Sequence, residues 1–188
     1  MPDARAETAR RAVFLDRDGT IVEDPGFLHE PGKVRLLAGA GEAIGRLNQA
    51  GWLVVTVSNQ SGMARGLYDA TAYGAVQRRL VELLAARGAR LDGAYFCPHH
   101  PEFTGPCECR KPGLLLFREA QAALGLDLTR CCWVGDRLSD VEPALRLGGR
   151  GFLVTTGRGA EDAAQARTLG VPVVADLTAA AAEIVRGG

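Results

Sequence analysis

Asp16 and Asp18 stand one residue apart, directly after the apolar run Val13-Phe14-Leu15 and before Gly19-Thr20. Two carboxylates this close resist ionising together, so the pair asks for a cation between them: a metal, a lysine, or both. Alone, the motif could equally be a solvated Asp-Gly turn at a strand end. Three more polar clusters accompany it: Ser58-Asn59, Arg110-Lys111, and Asp136 with Asp140. Singly these read as a helix cap, a solvated loop and a turn. What joins them is position, because each follows a predicted strand or lies in a loop beyond one.

The elements that place them come from hydrophobic periodicity and glycine stops. Strands are predicted at Arg11 to Leu15, Trp52 to Val57, Gly93 to Phe96, Cys131 to Val134, Gly151 to Thr155 and Pro172 to Ala175. Helices are predicted around Ala43 to Ala50, Thr71 to Arg87, Leu114 to Leu124, Leu138 to Leu147, Ala160 to Leu169 and at the C-terminal end. Ile21 to Arg35, rich in proline and glycine, reads as a loop. Strands alternating with helices specify an α/β fold, a doubly wound Rossmann-like parallel sheet covered on both faces. All strand C-termini of such a sheet face one way, so the four clusters can converge on a single crevice.

The chain's 188 residues suit one domain over 11–188, preceded by a loose tail over 1–10. Lys+Arg and Asp+Glu both number 22 and leave a formal net charge of +0, which gives no footprint for nucleic acid. No apolar run reaches the ~20 residues of a membrane span, and Met1 to Arg11 lacks the apolar core of a secretory signal. A cytoplasmic protein, expected as a monomer with a small-molecule substrate, fits these observations. The cysteines at 97, 107, 109, 131 and 132 are odd in number and suit thiols in a reducing compartment.

Asp16-Arg17-Asp18-Gly19-Thr20, Ser58-Asn59-Gln60, Lys111-Pro112 and Gly135-Asp136 with Asp140 together resemble the four motifs of the haloacid-dehalogenase superfamily of phosphohydrolases, over residues 12 to 156. The resemblance implies a magnesium-dependent phosphomonoesterase. Asp16 would be the nucleophile, a carboxylate that needs no base to activate it. Asp18 would protonate the departing oxygen and then activate water. Magnesium would bind Asp16, Asp136 and the backbone carbonyl of Asp18, while Ser58 and Lys111 would hold the phosphoryl oxygens. Asp140 would orient the metal site or the Lys111 amine. A phosphate-accepting module of the response-regulator kind would carry its acid on the third strand; here the acid pair ends the first.

Cys97-Pro98-His99 and Cys107-Glu108-Cys109 supply three thiolates and an imidazole, a donor set for a closed, structural zinc site in the loop 97–109. Free thiols beside a loop histidine are the alternative. His100 adjoins a chosen ligand and is left out, and Cys131 and Cys132 read as core. A zinc loop directly before Arg110-Lys111-Pro112 is similar to the family branch of heptose bisphosphate phosphatases and histidinol-phosphate phosphatases. In the heptose group, residues matching Asp24, Pro25, Gly26 and Phe27, and Ser58, Asn59, Gln60 and Ser61, line the substrate site. Lys111 and Arg137 are expected there too, and Arg110 would read a second phosphate. The implied substrate is the heptose 1,7-bisphosphate that serves bacterial lipopolysaccharide, cleaved at C7, with histidinol phosphate as the alternative. Three features depart from the heptose pattern: a shorter zinc loop, Phe27 for the commoner tyrosine, and Arg137 for lysine. The spans between motifs are too short for a large cap domain, which leaves an open site.

Overall fold

The computed structural model describes residues 10–187. Its organising strand, β1 (Ala12–Leu15), is buried along its whole length and paired on both edges. Val13 and Leu15 point to one face of the sheet, Ala12 and Phe14 to the other, the two-residue alternation of an extended chain. Around it lie β2 (Leu53–Asn59), β3 (Gly93–Cys97), β4 (Cys132–Gly135), β5 (Arg150–Val154) and β6 (Val173–Val174). They form one sheet in the order β3-β2-β1-β4-β5-β6, every neighbouring pair parallel. This is the doubly wound order, and the reversal of strand order between β1 and β4 opens a crevice beyond their C-terminal ends.

Helices α1 (Ala40–Gln49), α2 (Ala70–Ala85) and α7 (Leu177–Arg186) supply Ile44, Leu47, Leu80, Leu84, Leu177 and Ile184 to the core on the face of Val13 and Leu15. On the opposite face α4 (Leu115–Leu124) brings Leu116 and Phe117 onto Phe14 and Trp133, where the aromatic rings lie 4.9–5.8 Å apart. α5 (Leu138–Leu147) and α6 (Gly159–Thr168) enclose a smaller cluster with Leu153 on β5. Helix starts follow local chemistry: Asp69 and Asp176 accept the N–H of Ala72 and Ala179 at 2.9 Å as N-caps of α2 and α7.

Some element boundaries differ from the sequence expectation. β2 continues to Asn59 instead of stopping at Val57, because its ladder to β3 runs on through Ser58–Phe96 and Asn59–Cys97. Ser58 and Asn59 therefore ride on a strand and not in the turn after it. Cys131 precedes β4; its Sγ accepts from Ala12 N–H and donates to the Asp127 carbonyl, a side-chain link outside the ladder. The tail assigned to 1–10 lies outside the described residues except for Arg10, which is bonded through its backbone to Gly125 and Asp127. A turn of helix, α3 (Pro101–Thr104), sits inside the cysteine loop where none was predicted, started by Pro101 after the His100 N-cap. The segments 16–39, 60–69 and 98–114 are the main excursions above the sheet and include no large cap domain.

Candidate active site

Lys111 occupies the centre of the crevice. Its ammonium donates to Asp16 Oδ1 at 2.6 Å and to the Val57 carbonyl at 2.6 Å, and lies 2.8 Å from Asp140 Oδ1. Those three contacts use all three of its protons. Burial alone would favour the neutral amine, but Asp140 and Asp16 outweigh it and hold the Lys111 pKa above its ordinary value. The backbone of Lys111 is clamped by Asn59, whose Oδ1 accepts its N–H at 2.9 Å and whose Nδ2 donates to its carbonyl at 3.2 Å. The two-residue extension of β2 is what carries Asn59 to that position.

Asp140 is the third residue of α5 and works in two directions. Its Oδ2 accepts the Arg137 N–H at 2.9 Å, closing the helix start, while Oδ1 faces Lys111. Asp136, at the end of β4, accepts the Arg158 N–H at 2.8 Å. The same Oδ2 is packed between two glycines: a Cβ on Gly19 or Gly157 would fall 2.5 or 2.2 Å from it, and both glycines adopt positive φ, 82° and 54°. Only residues without a side chain let the loops after β1 and β5 close on this carboxylate.

Burial pushes Asp136 up to about 6, aided by the charge of Asp140 and opposed by the Arg158 N–H and Lys111. Asp16 is also raised well above the ordinary carboxylate range, first by burial, then by repulsion from Asp140, Asp18 and Asp136, against the pull of Lys111. Ligand oxygens of Asp16, Asp136 and Asp140 all lie within 4.8 Å of one another. One lysine faces three acids, two of them buried, a deficit of positive charge that a divalent cation with oxygen ligands would close. The residues present therefore fit magnesium.

The cavity above this cluster, about 270 Å³, is lined by Asp16, Asp18, Asp24, Asn59, Arg110, Lys111, Asp136, Arg137 and Asp140, together with Ser139 and Arg158. The last two were not anticipated. Arg158 had a readable signal, since Gly157-Arg158-Gly159 also lies beyond the end of a predicted strand; Ser139 had none. Ser58 is buried and does not line the cavity. Gln60 is buried against Asp18, Arg17 and Tyr68. Ser61, Pro25, Gly26 and Phe27 are not among the lining residues; Phe27 is exposed on the rim at φ 51°, and Gly26 N–H bonds Asp24 Oδ1 at 2.9 Å.

The cysteine loop brings Cys97, His99, Cys107 and Cys109 together with their donor atoms mutually within 4.8 Å. Cys109 Sγ lies 2.9 Å from Cys97 Sγ, 3.5 Å from Cys107 Sγ and 3.2 Å from His99 Nδ1. Three thiols and one imidazole facing a common centre form a donor set that fits zinc. Arg110 follows directly and donates to the His99 carbonyl at 3.4 Å, so the same loop sets its guanidinium at the cavity.

A HAD-hydrolase-like family model matches residues 108–180. The D-glycero-beta-D-manno-heptose-1,7-bisphosphate 7-phosphatase of Photorhabdus laumondii is 41% identical over 173 residues, covering 88% of this chain and 92% of that protein. The chain belongs to the haloacid-dehalogenase-like phosphatases. It is a phosphoric monoester hydrolase. The D-glycero-D-manno-heptose-1,7-bisphosphate 7-phosphatase of Thermosynechococcus vestitus is 42% identical over 159 residues, covering 80% of this chain and 81% of that protein. A crystal structure of the D,D-heptose 1,7-bisphosphate phosphatase from B. bronchiseptica, complexed with magnesium and phosphate, superposes with a TM-score of 0.86 at 36% identity, covering 95% of this chain and 99% of that one. This haloacid-dehalogenase-like member thus shares its sheet and its extent with a protein that holds magnesium. Among its own described residues no helix is long and apolar enough to cross a membrane.

Proposed function

We propose that this phosphatase removes the C7 phosphate of D-glycero-D-manno-heptose 1,7-bisphosphate through an aspartyl-phosphate intermediate. The observation that carries the chemistry is the Asp16 carboxylate, fixed by Lys111 at 2.6 Å on the cavity floor where the strand order reverses. The names of the relatives supply the substrate. Asp16 attacks phosphorus and the ester oxygen leaves; Asp18 gives that oxygen its proton, then takes one from the water that cleaves the acyl phosphate. Lys111, protonated and in contact with the nucleophile, neutralises charge on the phosphoryl oxygens. Magnesium, held by Asp16, Asp136 and the backbone carbonyl of Asp18, supplies positive charge between the nucleophile and the phosphate dianion.

Arg110 receives the second phosphate with a forked guanidinium, and Asp24, Asn59 and Arg137 on the cavity wall shape the sugar site. Cys97, His99, Cys107 and Cys109 would hold a structural zinc, whose binding would brace the loop that places Arg110. A reducing, cytoplasmic setting suits these thiols.

The test is phosphate release from heptose 1,7-bisphosphate and from histidinol phosphate with magnesium. Higher kcat/KM on the heptose substrate is expected, and Asp16→Asn abolishes turnover while the protein stays folded. A preference for histidinol phosphate would reassign the substrate; turnover by Asp16→Asn would remove the nucleophile.

A further inference from the structure

The inner side of Asp18 carries a hydrogen-bond network that none of those steps employs. Arg17, 1% exposed, donates from Nε to Asp18 Oδ1 at 3.0 Å and Oδ2 at 3.2 Å, and from Nη2 to Oδ2 at 2.9 Å. Gln60 Nε2 donates to the same Oδ2 at 2.9 Å. The amide oxygen of Gln60 is taken twice, by Arg17 Nη2 at 3.1 Å and by the Tyr68 hydroxyl at 2.6 Å. With two donors aimed at Oε1, the amide cannot flip without opposing N–H to N–H and O–H, so Nε2 is committed to Asp18. Burial pushes the Tyr68 phenol up to about 12, which keeps its donating proton in place.

Tyr68 is itself held from outside. Its ring packs on Gly62, where a Cβ would fall 2.2 Å from a ring carbon. Its other neighbour is the His29 ring, stacked at 5.7 Å between centroids and 9° between planes. His29 Nδ1 in turn donates to the Phe27 carbonyl at 2.7 Å. A continuous path of contacts thus runs from the Asp18 carboxylate to the rim loop 24–29.

We propose that Tyr68 and Gln60 are positioning residues for Asp18, and that through His29 they tie its orientation to the rim loop that meets the sugar. Oδ2 carries the bonds from Gln60 and Arg17 Nη2. That leaves Oδ1, with its single contact to Arg17 Nε, as the oxygen open to the reacting groups. The inference rests on the assignment of Asp18 as the acid that protonates the leaving oxygen.

The experiment compares kcat/KM for heptose 1,7-bisphosphate, whose leaving group is an alkoxide, with kcat/KM for p-nitrophenyl phosphate, whose phenolate departs with little need of a proton. In the full-length enzyme with magnesium, Tyr68→Phe should lower the first by about tenfold and leave the second within about twofold, since only the alkoxide depends on a well-placed acid. Gln60→Met, similar in length and without the amide, should show the same split more strongly. A purely structural role would depress both substrates alike, and that result, or no change on either, overturns the proposal. Asp18→Asn separates the acid from the network that positions it. If Asp18→Asn fails to split the substrates, the assignment of Asp18 is what falls. If it splits them and the Tyr68 and Gln60 variants do not, only the network falls.

Discussion

Asp136 shows how one residue can be costly to the bare fold and useful once a cation arrives. Its carboxyl is pushed up to about 6 from an ordinary value near 3.8, chiefly by burial. In the metal-free protein the folded state therefore holds this proton more tightly than the unfolded chain does. The stability that follows is present below pH 3.8 and lost as pH rises through about 6, an effect on the order of 3 kcal/mol. Magnesium reverses the balance because it binds only the carboxylate. Calorimetric titration should find magnesium affinity falling at least tenfold per pH unit as pH drops below about 6, since the raised Asp16 carboxyl adds to the slope, and the thermal shift on adding magnesium should be larger at pH 7 than at pH 5. Equal affinity at the two pH values would show that Asp136 is not a ligand. The identity of this residue was legible in the sequence because a Gly-Asp pair after an apolar run stands out. Gln60 and Tyr68 were less legible in their roles: a buried amide and a phenol bridging two loops have no periodicity, and only the assembled fold brings them to Asp18.

At the scale of elements, the strands and helices were readable because apolar period and glycine stops mark them, and α5 matches its expected span of Leu138–Leu147. The end of β2 was not, since polar Ser58 and Asn59 look like a turn until β3 pairs beside them. That extension matters, because it puts Asn59 against the backbone of Lys111. On the far side of Lys111 the cysteine loop acts as a second brace. Cys107 is the one cysteine of the four-residue set that is not fully buried, so Cys107→Ser removes one thiolate with little change in packing. Metal analysis should find about one zinc per chain in the parent and a loss of zinc in the variant, with a lower Tm, because a structural site contributes its binding energy to folding. Arg110 should lose its placement as well. KM for the bisphosphate is then expected to rise several-fold, about 1 kcal/mol for a loosened charge-assisted contact, while KM for p-nitrophenyl phosphate stays put. Full activity on both substrates in a zinc-free variant would separate the loop from the site.

Across the whole molecule, the active site exists only because loops far apart in the chain meet at the point where the sheet changes direction. Asp136 makes this visible, with Gly19 from the loop after β1 on one side and Gly157 from the loop after β5 on the other. Thr156 ties the same two loops together, its hydroxyl donating to the Gly19 carbonyl at 2.6 Å. The sequence could announce an acid at each strand end, but a contact between backbone and carboxylate across three loops has no local signature. Gly157→Ala tests it against a control that shares only the backbone cost. Gly66 also has a positive φ, 70°, yet nothing lies within 4 Å of where its Cβ would be. Gly66→Ala should therefore lose roughly 1–2 kcal/mol in urea denaturation, the penalty for a left-handed L-residue, and keep its magnesium affinity. Gly157→Ala carries the same penalty and also drives a methyl group to 2.2 Å from Asp136 Oδ2. Asp136 or the loop must move, so a further loss on the order of 1–3 kcal/mol and a clear drop in magnesium affinity are expected. If both variants lost the same stability and bound magnesium equally well, the close approach of the three loops would not be what holds Asp136 in place.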